Sequence, residues 1–397
     1  MSTACMHGEA RNEASIVVVG GGVVGICTAM FLAEAGEDVV CIDEARNAGT
    51  TANAGSLHVQ MQSRFIQLFP ELVPAFERAL PLYPLAVRHW QALAATLDTE
   101  IELTVSGGLM IAESPEQLAF LESKCRRELE LGLDVRILTG SLLRDIAPYL
   151  GPAIIGAEFC ATEGKVNPLL ANSAIRRRAL RAGVRLQVPC LVEHAEKSRG
   201  GFSLVTSNGP FRAGRVVVAA GPGSRRLAAA FGVTMPAFAE PLHMNVTEPT
   251  APLIKHLVQH AGRPITLKQL ATGHVVIGGG WPAELSASDH PTVLRSSLVG
   301  NLALAQHVIP ELGSLRLLRT WAGVNTAIDG RPVLGAATGL ADLYFAIPGD
   351  AGYTLGPLCA RLAADIVLGR SPEIDVSEFG PDRFGSSILM PTMVRPA

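Results

Sequence analysis

The sequence predicts an α/β fold in which a parallel sheet is joined to a second, antiparallel sheet. Residues 15–44 have the pattern of a strand, a glycine-rich turn, a helix and another strand, which is the repeating unit of parallel sheets. Two later buried strands end in glycine turns at Gly221 and Gly349. Residues 237–281 change to alternating apolar and polar positions, which indicates antiparallel strands.

The composition favours a large buried core. Of 397 residues, 48% are hydrophobic and 17% are charged, which is sufficient for two or three domains. The formal net charge of -3 argues against nucleic acid as a main partner. We expect residues 1–14 to be a loose leader and residues 380–397 to be a tail that is disordered or contacts a partner. No apolar run has the length of a membrane span.

The seven cysteines are scattered and form no C-x-x-C pair. This pattern supports neither a zinc site nor an iron–sulfur site within the chain. It is typical of reduced thiols, so we expect a cytoplasmic protein.

The first unit contains a dinucleotide-binding fingerprint. Residues 16–19 predict a buried strand and residues 23–35 a helix, and between them Gly20, Gly22 and Gly25 have G-x-G-x-x-G spacing. The first glycine allows a tight turn, the second lets a pyrophosphate approach, and the third lets the helix lie close to the sheet. The strand at 39–42 delivers Asp43, whose carboxylate suits ribose hydroxyls. A glycine-rich loop in an ordinary βαβ unit is the alternative.

The segment 50–56 contains only small residues and can lie against a flat ligand, with a plain surface loop as the alternative. Polar residues follow at His58, Gln60 and Arg64.

The remaining elements follow from periodicity, capping and turn residues. We predict helices at 65–97 (broken by prolines), 116–131, 168–182, 225–231, 293–308 and 356–368. We predict hairpins at 102–112 and 202–213, a turn at 321–323, and strands at 184–188, 216–218, 242–247, 265–270, 274–277, 315–320, 333–335 and 343–347. The arginines at 176–178 and 181 give the helix at 168–182 a basic face, which is more typical of a solvated surface than of a phosphate site.

Three strands therefore end in glycine turns, at Gly20, Gly221 and Gly349. One mononucleotide needs one such turn, whereas a long dinucleotide across the sheet edge uses several. This favours an extended FAD over NAD.

Several motifs follow one another over residues 15–370: the glycine fingerprint, the 50–56 loop, Val166-Asn167-Pro168, Ala219-Ala220-Gly221, the segments 319–323 and 329–332, and the turn at 349–356. With these motifs in family order, the chain resembles the D-amino acid oxidase superfamily of flavoproteins, in the branch of glycine oxidase and sarcosine oxidase. It is most similar to β-subunits of heteromeric opine (octopine and nopaline) oxidases, hydroxyproline dehydrogenase and hydrogen cyanide synthase.

The resemblance implies an FAD-binding Rossmann-like (GR2-type) domain with an antiparallel-sheet α+β substrate domain, discontinuous in sequence. The FAD-binding domain would comprise residues 15–60, 150–235 and 325–372, and the substrate domain 61–149 and 236–324. The implied cofactor contacts are Gly20, Gly22, Val23, Val24, Gly25, Asp43, Glu44, Thr50, Thr51, Asn53, Ala54, Gly55, Ser56, Leu57, Val188, Ala220, Gly221, Gly349, Gly352, Tyr353, Thr354 and Leu355.

One position departs from the resemblance. Glycine oxidase-like members hold the substrate carboxylate with an arginine where this chain has Asn325. An amide lacks the charge and the bidentate fork, so another cation would be required. The candidate cations are Arg64, Lys268, Arg319 and Arg331, of which Arg331 is equally a structural turn residue. His243, Asn245 and His274 are more typical of core or surface positions.

The implied reaction is oxidation of a C–N bond to an imine by hydride transfer to the flavin. The candidate catalytic residues are Tyr353, His58, Arg331, Lys268 and Asn325. The alternatives are a free-standing oxidase that uses O2, a flavin-holding subunit without substrate chemistry, and a nicotinamide dehydrogenase. A partner α-subunit is expected, with a second flavin, FMN, conceivable at the subunit junction.

Overall fold

The computed structural model describes residues 12–46 and 49–384. Most of the predicted leader and the tail beyond residue 384 lie outside these ranges. The strands are β1 Glu13–Val19, β2 Val39–Ile42, β3 Ser56–Leu57, β4 Gly108–Ala112, β5 Val135–Thr139, β6 Gly156–Cys160, β7 Gly164–Lys165, β8 Arg185–Gln187, β9 Val192–Ser198, β10 Gly201–Thr206, β11 Gly209–Val218, β12 Phe238–Pro249, β13 Leu257–His260, β14 Thr266–Gln269, β15 His274–Gly278, β16 Glu284–Leu285, β17 Pro291–Thr292, β18 Leu317–Ala327, β19 Val333–Ala336 and β20 Leu343–Ile347.

The helices include those that the sequence predicts at 23–35 and 356–368. They are α1 Val23–Glu34, α2 Ser63–Leu68, α3 Val73–Ala79, α4 Leu82–Ala94, α5 Pro115–Glu130, α6 Gly140–Ile146, α7 Pro168–Arg181, α8 Ser224–Ala230, α9 Arg295–Val308 and α10 Gly352–Val367. Within the described ranges, no helix combines the length and the apolar character needed to cross a membrane.

The first sheet has the strand order β19-β20-β11-β1-β2-β8, with β10 and β9 continuing from β11 as an antiparallel extension. Its centre is parallel: β1 pairs with β2 and β11, and β11 pairs with β20. Ile16, Val17 and Val18 of β1 are fully buried, because this strand is covered on both faces. The carboxyl ends of β1, β2, β11 and β20 therefore meet at one edge, where open α/β sheets bind ligands.

The second sheet has the order β18-β12-β15-β14-β13-β4-β6-β5. Its pairs are antiparallel except for β13 with β4. This arrangement confirms the predicted fold class, a parallel α/β sheet combined with a second, mainly antiparallel sheet.

Helix α1 lies between the first sheet and two other helices, α7 and α10. Nine of its residues are buried, which explains why its sequence is apolar around most of its circumference. Small residues allow the helices to approach closely: a Cβ on Gly356 of α10 would lie 2.8 Å from Cγ1 of Val23.

Several predicted elements differ from the structure. The predicted hairpin at 102–112 is wrong, because only β4 forms there and its partners are β13 and β6. The turn predicted at 321–323 is also wrong, because those residues lie within β18, paired to β12 along most of its length. The predicted strand at 216–218 is the end of β11. The helix predicted from residue 356 begins at Gly352.

The division into two discontinuous domains remains a prediction. Strand β6 pairs with β4 and β5 in the second sheet, although residues 150–235 were predicted for the FAD-binding domain. The boundary near residue 150 therefore does not follow the sheet pairing.

The substitution Gly25→Ala tests the close packing of α1. A Cβ at Gly25 would lie 1.8 Å from the carbonyl oxygen of Gly20, so backbone must move. We expect the free energy of unfolding to fall by about 2 kcal/mol or more, measured by urea denaturation. Gly380→Ala is the control, since its Cβ would meet nothing closer than 3.7 Å. Equal stability of the two variants would contradict this packing.

Candidate functional site

A continuous groove runs along the carboxyl edge of the first sheet and opens toward the second sheet. It consists of two adjoining cavities of about 200 and 280 Å³. Both are lined by Gly49, Asn53, Val324, Asn325, Gly352 and Tyr353. We call the smaller one the glycine cavity and the larger one the inner cavity.

The glycine cavity contains the fingerprint turn. Gly20 has φ +111°, and a Cβ there would lie 2.4 Å from the carbonyl oxygen of Ala219. Gly22 leaves backbone bare at the start of α1, where a Cβ would lie 3.0 Å from Oγ1 of Thr50. The bare backbone and the positive end of the α1 dipole suit a pyrophosphate.

Asp43 lies beside this turn. Its Oδ2 accepts a hydrogen bond from the Gly21 N–H at 2.6 Å, and its Oδ1 accepts one from the Ala45 N–H at 2.8 Å. Glu44 pairs instead with Arg46, at 3.3 Å and largely in solvent. Both acids line the glycine cavity, and Asp43 is the one that contacts the fingerprint turn; its ribose contact stays a prediction.

The loop after β2 is held by helix α1 and by strand β18 of the second sheet. Thr50 Oγ1 accepts a hydrogen bond from the Val23 N–H at 2.9 Å, which attaches the loop to the start of α1. Trp321 Nε1 of β18 donates to the Ala52 carbonyl at 2.9 Å. Asn53 Oδ1 accepts the Gly55 N–H at 2.7 Å, and Gly55 has φ +75°. The loop is thus a built wall of the groove, as the prediction for residues 50–56 requires.

Helix α10 begins at the junction of the two cavities. Trp90 Nε1 donates to the carbonyls of Tyr353 and Thr354 at 3.0 and 3.2 Å. The Thr354 hydroxyl accepts from the His58 N–H at 3.0 Å and donates to the Ser56 carbonyl at 3.3 Å. These contacts fix the first turn, whose residues Gly352 and Tyr353 line both cavities.

Most of the predicted cofactor contacts line the groove, and five do not. The lining residues are Gly20, Gly22, Val23, Val24, Asp43, Glu44, Thr50, Thr51, Asn53, Ala54, Ser56, Ala220, Gly221, Gly349, Gly352, Tyr353 and Thr354. Gly25 and Gly55 serve close backbone packing, Leu57 and Leu355 are core residues, and Val188 is replaced in the lining by the segment 190–192.

Two predicted catalytic residues do not direct their side-chain polar groups into the groove. Arg331 does not line the groove, because its guanidinium pairs with Asp329 at 2.7 Å, and Arg383 pairs with the same carboxylate. The Tyr353 hydroxyl donates to Asn172 Oδ1 at 3.0 Å and its ring stacks on Trp90. Tyr353 therefore presents its backbone rather than its hydroxyl to the groove.

Three predicted residues remain at the inner cavity. Asn325 Nδ2 donates to Oε2 of the buried Glu240 at 3.2 Å, its direct neighbour across β18 and β12. Burial lowers the pKa of His58 to about 4, so the ring is neutral at pH 7. Lys268 is fully buried, and its Nζ has no hydrogen-bond partner within residues 12–46 and 49–384.

Of the four candidate cations, Lys268 and Arg64 line the inner cavity. Arg319 is exposed and lies over the Trp321 ring. The three residues considered more typical of core or surface positions do not line the inner cavity. His243 is fully buried, Asn245 donates to Asn301, and His274 contacts Thr272 at a hairpin turn.

A buried polar network behind the inner cavity was missed in the sequence. Glu163 Oε1 accepts the N–H groups of Val59 and Gln60 at 2.8 and 3.2 Å. Its Oε2 accepts the side-chain amides of Gln60 and Gln259 at 3.0 and 3.1 Å. Gln259 in turn accepts from Gln62 at 2.6 Å. These glutamines line the cavity, so one buried carboxylate orients a polar wall.

Asp350 is a second acidic residue that the sequence did not indicate. It lines the inner cavity, and burial raises the pKa of its carboxyl to about 8. The described residues include no group of three or more His, Cys, Asp or Glu side chains that could hold a metal ion.

Comparisons with known proteins agree with this geometry. The family DAO, described as FAD dependent oxidoreductase, matches residues 15–366. The B subunit of opine oxidase from Agrobacterium tumefaciens (strain Ach5) is 26% identical, over 94% of this chain and 98% of that one. The beta subunit of sarcosine oxidase from Rhizobium meliloti (strain 1021) is 25% identical, over 94% and 89%.

Among solved structures, glycine oxidase from Geobacillus kaustophilus superposes with a TM-score of 0.82 at 23% identity. The match covers 94% of this chain and 100% of that one. At this identity the likeness shows the fold.

Gly22→Val tests the cofactor groove. The added side chain would fill the space at the start of α1 and press on Thr50, so FAD should bind at least about tenfold more weakly. The measurement is FAD content per folded chain, with folding checked by circular dichroism. Gly380→Val, which lies outside the groove, should keep full flavin content. Unchanged flavin in Gly22→Val would refute this assignment.

Glu163→Gln tests the polar wall. The new amide would direct a donor at groups that are themselves donors, so we expect a loss of about 2–3 kcal/mol in the free energy of unfolding. Urea denaturation measures the loss, and the exposed Glu122→Gln is the matched control. If the two variants unfold at the same urea concentration, Glu163 does not stabilise the polar wall in this way.

Proposed function

Because the chain belongs to the DAO family of FAD dependent oxidoreductases, we propose that it oxidises the C–N bond of an amino acid to an imine. The preferred substrate is a secondary amino acid, such as an opine. The imine then hydrolyses in water to a keto acid and an amine, and for an opine that amine is an amino acid.

One observation carries this proposal: an inner cavity with a buried lysine adjoins the groove for the cofactor. Arg64 supplies a guanidinium and Lys268 an amine for a carboxylate. Apolar side chains such as Leu242, Met244 and Val276 line the same space. A mostly apolar cavity with a few convergent charges suits the positioning of a small acid over a flat cofactor.

The polarity of the cavity supports a substrate larger than glycine. On the wall of β12 and β18, where an arginine was expected, Asn325 is bonded to the carboxylate of Glu240. Glu240 also interacts with the charge of Arg64, so this side of the cavity carries an acid beside a cation. A substrate carboxylate would lie at Lys268, and an amino or guanidino group of the substrate on the side of Glu240. Opines derived from basic amino acids have this charge arrangement, and one relative is named as the B subunit of an opine oxidase.

Bound FAD supplies the hydride acceptor for this reaction. The chain contributes binding and electrostatics. The first turn of α10, held by Trp90 and Thr354, lines the groove with the positive end of the helix dipole, which stabilises negative charge. His58 is neutral at pH 7 and does not compete for the carboxylate. Phe65 and Tyr83 give part of the cavity wall an aromatic surface.

A partner subunit is part of the proposal. The relatives named as the B and beta subunits of their enzymes support a catalytic β-subunit in a heteromeric complex, where an FMN at the junction is a further option. A free-standing oxidase that uses O2 is the second candidate, supported by the fold of glycine oxidase. The third candidate is a flavin-holding subunit without substrate chemistry, because Asn325 stands where an arginine was expected. The buried free thiols of the described residues suit a cytoplasmic location.

The test is anaerobic reduction of the bound flavin by a panel of opines, D-amino acids, sarcosine and proline analogues. Bleaching by octopine or nopaline is expected, because the cavity pairs a cationic side with an acidic one. Failure of every compound to bleach the isolated chain would favour the flavin-holding alternative.

A matched pair of arginine variants locates the site. Arg64→Met should reduce the apparent affinity for the bleaching compound by about tenfold or more, since a carboxylate partner is lost. Arg319→Met should leave it unchanged, because Arg319 lies outside the groove. An equal loss of apparent affinity in the two variants would contradict the placement of the substrate in the inner cavity.

A further inference from the structure

Lys268 is an unusual group for a cavity wall. It lies on β14, in the middle of the second sheet, and its side chain is fully buried. Its Nζ has no hydrogen-bond partner among the described residues. A Cβ on Gly55 would lie 3.2 Å from this Nζ, so the amine faces the loop at the mouth of the cofactor groove.

The surroundings of Lys268 favour the uncharged amine. Burial is the main cause that lowers its pKa well below the usual value, and the positive charge of Lys165 acts in the same direction. A neutral amine carries a lone pair and is therefore a base. It becomes a stable ammonium once an anion enters the cavity beside it.

Other titratable groups face the same cavity from the neighbouring elements. They are His58, Arg64, Tyr83, Glu240, His260, Arg263 and Asp350, with Lys165 nearby. His58, with a pKa of about 4, is a weak base. Glu240 accepts from Asn325. Asp350, with a pKa of about 8, still holds its proton at neutral pH.

The proposed reaction creates a need for a base. An amino acid in water carries an ammonium group, whose nitrogen has no lone pair to assist hydride loss from the adjacent carbon. One N–H proton must leave before oxidation, and a basic side chain beside the substrate nitrogen can receive it.

We propose that Lys268 receives the ammonium proton of the substrate and then, as an ammonium ion, pairs with the substrate's carboxylate. An N–H bond of the substrate breaks with its electron pair left on the substrate nitrogen, and an N–H bond forms at Nζ. No electron is gained or lost in this step. The inference rests on the proposed function, since it assigns a proton acceptor and a cation to the same substrate site.

Ligands with and without an amine distinguish this role from a fixed positive charge. 2-Aminoisobutyrate has no hydrogen on the carbon beside its nitrogen, so it cannot be oxidised. It brings its own proton, so its binding consumes none from solvent below the pKa of its ammonium group. Diglycolate has an ether oxygen and no amine, so Lys268 must take a proton from solvent. Its Kd should then rise about tenfold per pH unit above the pKa of Lys268 in the free protein.

The experiment titrates the FAD-loaded protein with each ligand from about pH 6 to about pH 7.5, below the pKa of about 8 of the Asp350 carboxyl, and follows the flavin absorbance change on binding. We expect a rising Kd for diglycolate and a flat one for 2-aminoisobutyrate. A flat profile for diglycolate would mean a lysine that is already charged, and it would overturn the proposal. These binding profiles do not depend on flavin reduction, so failure of the proposed reaction is recognised separately.

Variants assign the effect to one residue. Lys268→Met should flatten the diglycolate profile, and it should fold well because a buried unpaired amine is replaced by an apolar side chain of similar size. Lys268→Arg supplies a permanent cation, so it should bind diglycolate without pH dependence. Asp350→Asn and the exposed Lys255→Met should keep the wild-type slope. A slope that persists in Lys268→Met, or disappears in Asp350→Asn, would refute the role of Lys268.

Discussion

The structure depends on the close approach of backbone at the start of α1. The carbonyl of Gly20 lies where a Cβ on Gly25 would be, and Gly20 itself lies against the backbone of Ala219 at the end of β11. These contacts bring α1 close to the parallel sheet and direct its N-terminus into the groove. The same short distances that pack the core thus create the anion-binding end of the site.

The inner cavity depends on interactions between the two sheets. The loop at 49–57 is tied to α1 through Thr50 and to β18 through Trp321, so it can form a wall common to both parts of the groove. Behind it, Glu163 replaces the water that the N–H groups of Val59 and Gln60 would otherwise bind. A buried carboxylate with four donors stays satisfied, and it keeps the polar wall in one arrangement.

Charge is distributed unequally in this cavity. One side carries Glu240, which accepts from Asn325 and interacts with the charge of Arg64. The other carries Lys268, whose Nζ has no hydrogen-bond partner among the described residues. A substrate with a carboxylate and a second cationic group would match both sides, whereas glycine would match only one. The asparagine at position 325 therefore fits our proposal of a substrate other than glycine.

The sequence by itself determined the parallel unit, the cofactor and the family. Gly20, Gly22, Gly25 and Asp43 lie within one continuous segment, and local periodicity and turn chemistry define such a segment without distant contacts. The family match confirms the resemblance and the prediction of FAD. The sequence also indicated Asn325 as the departure, because that position stands in a recognisable motif.

Only the tertiary structure decided which charged residues meet. Glu163 accepts from the Val59 N–H, which is 104 positions away in the sequence. Arg331 is held away from the site by its ion pair with Asp329, which also pairs with Arg383. Nothing in the local pattern around Lys268 shows that its amine would be buried without a partner. Pairing, burial and pKa are set by long-range packing of two sheets, and a periodic pattern carries no information about which side chain arrives from the other sheet.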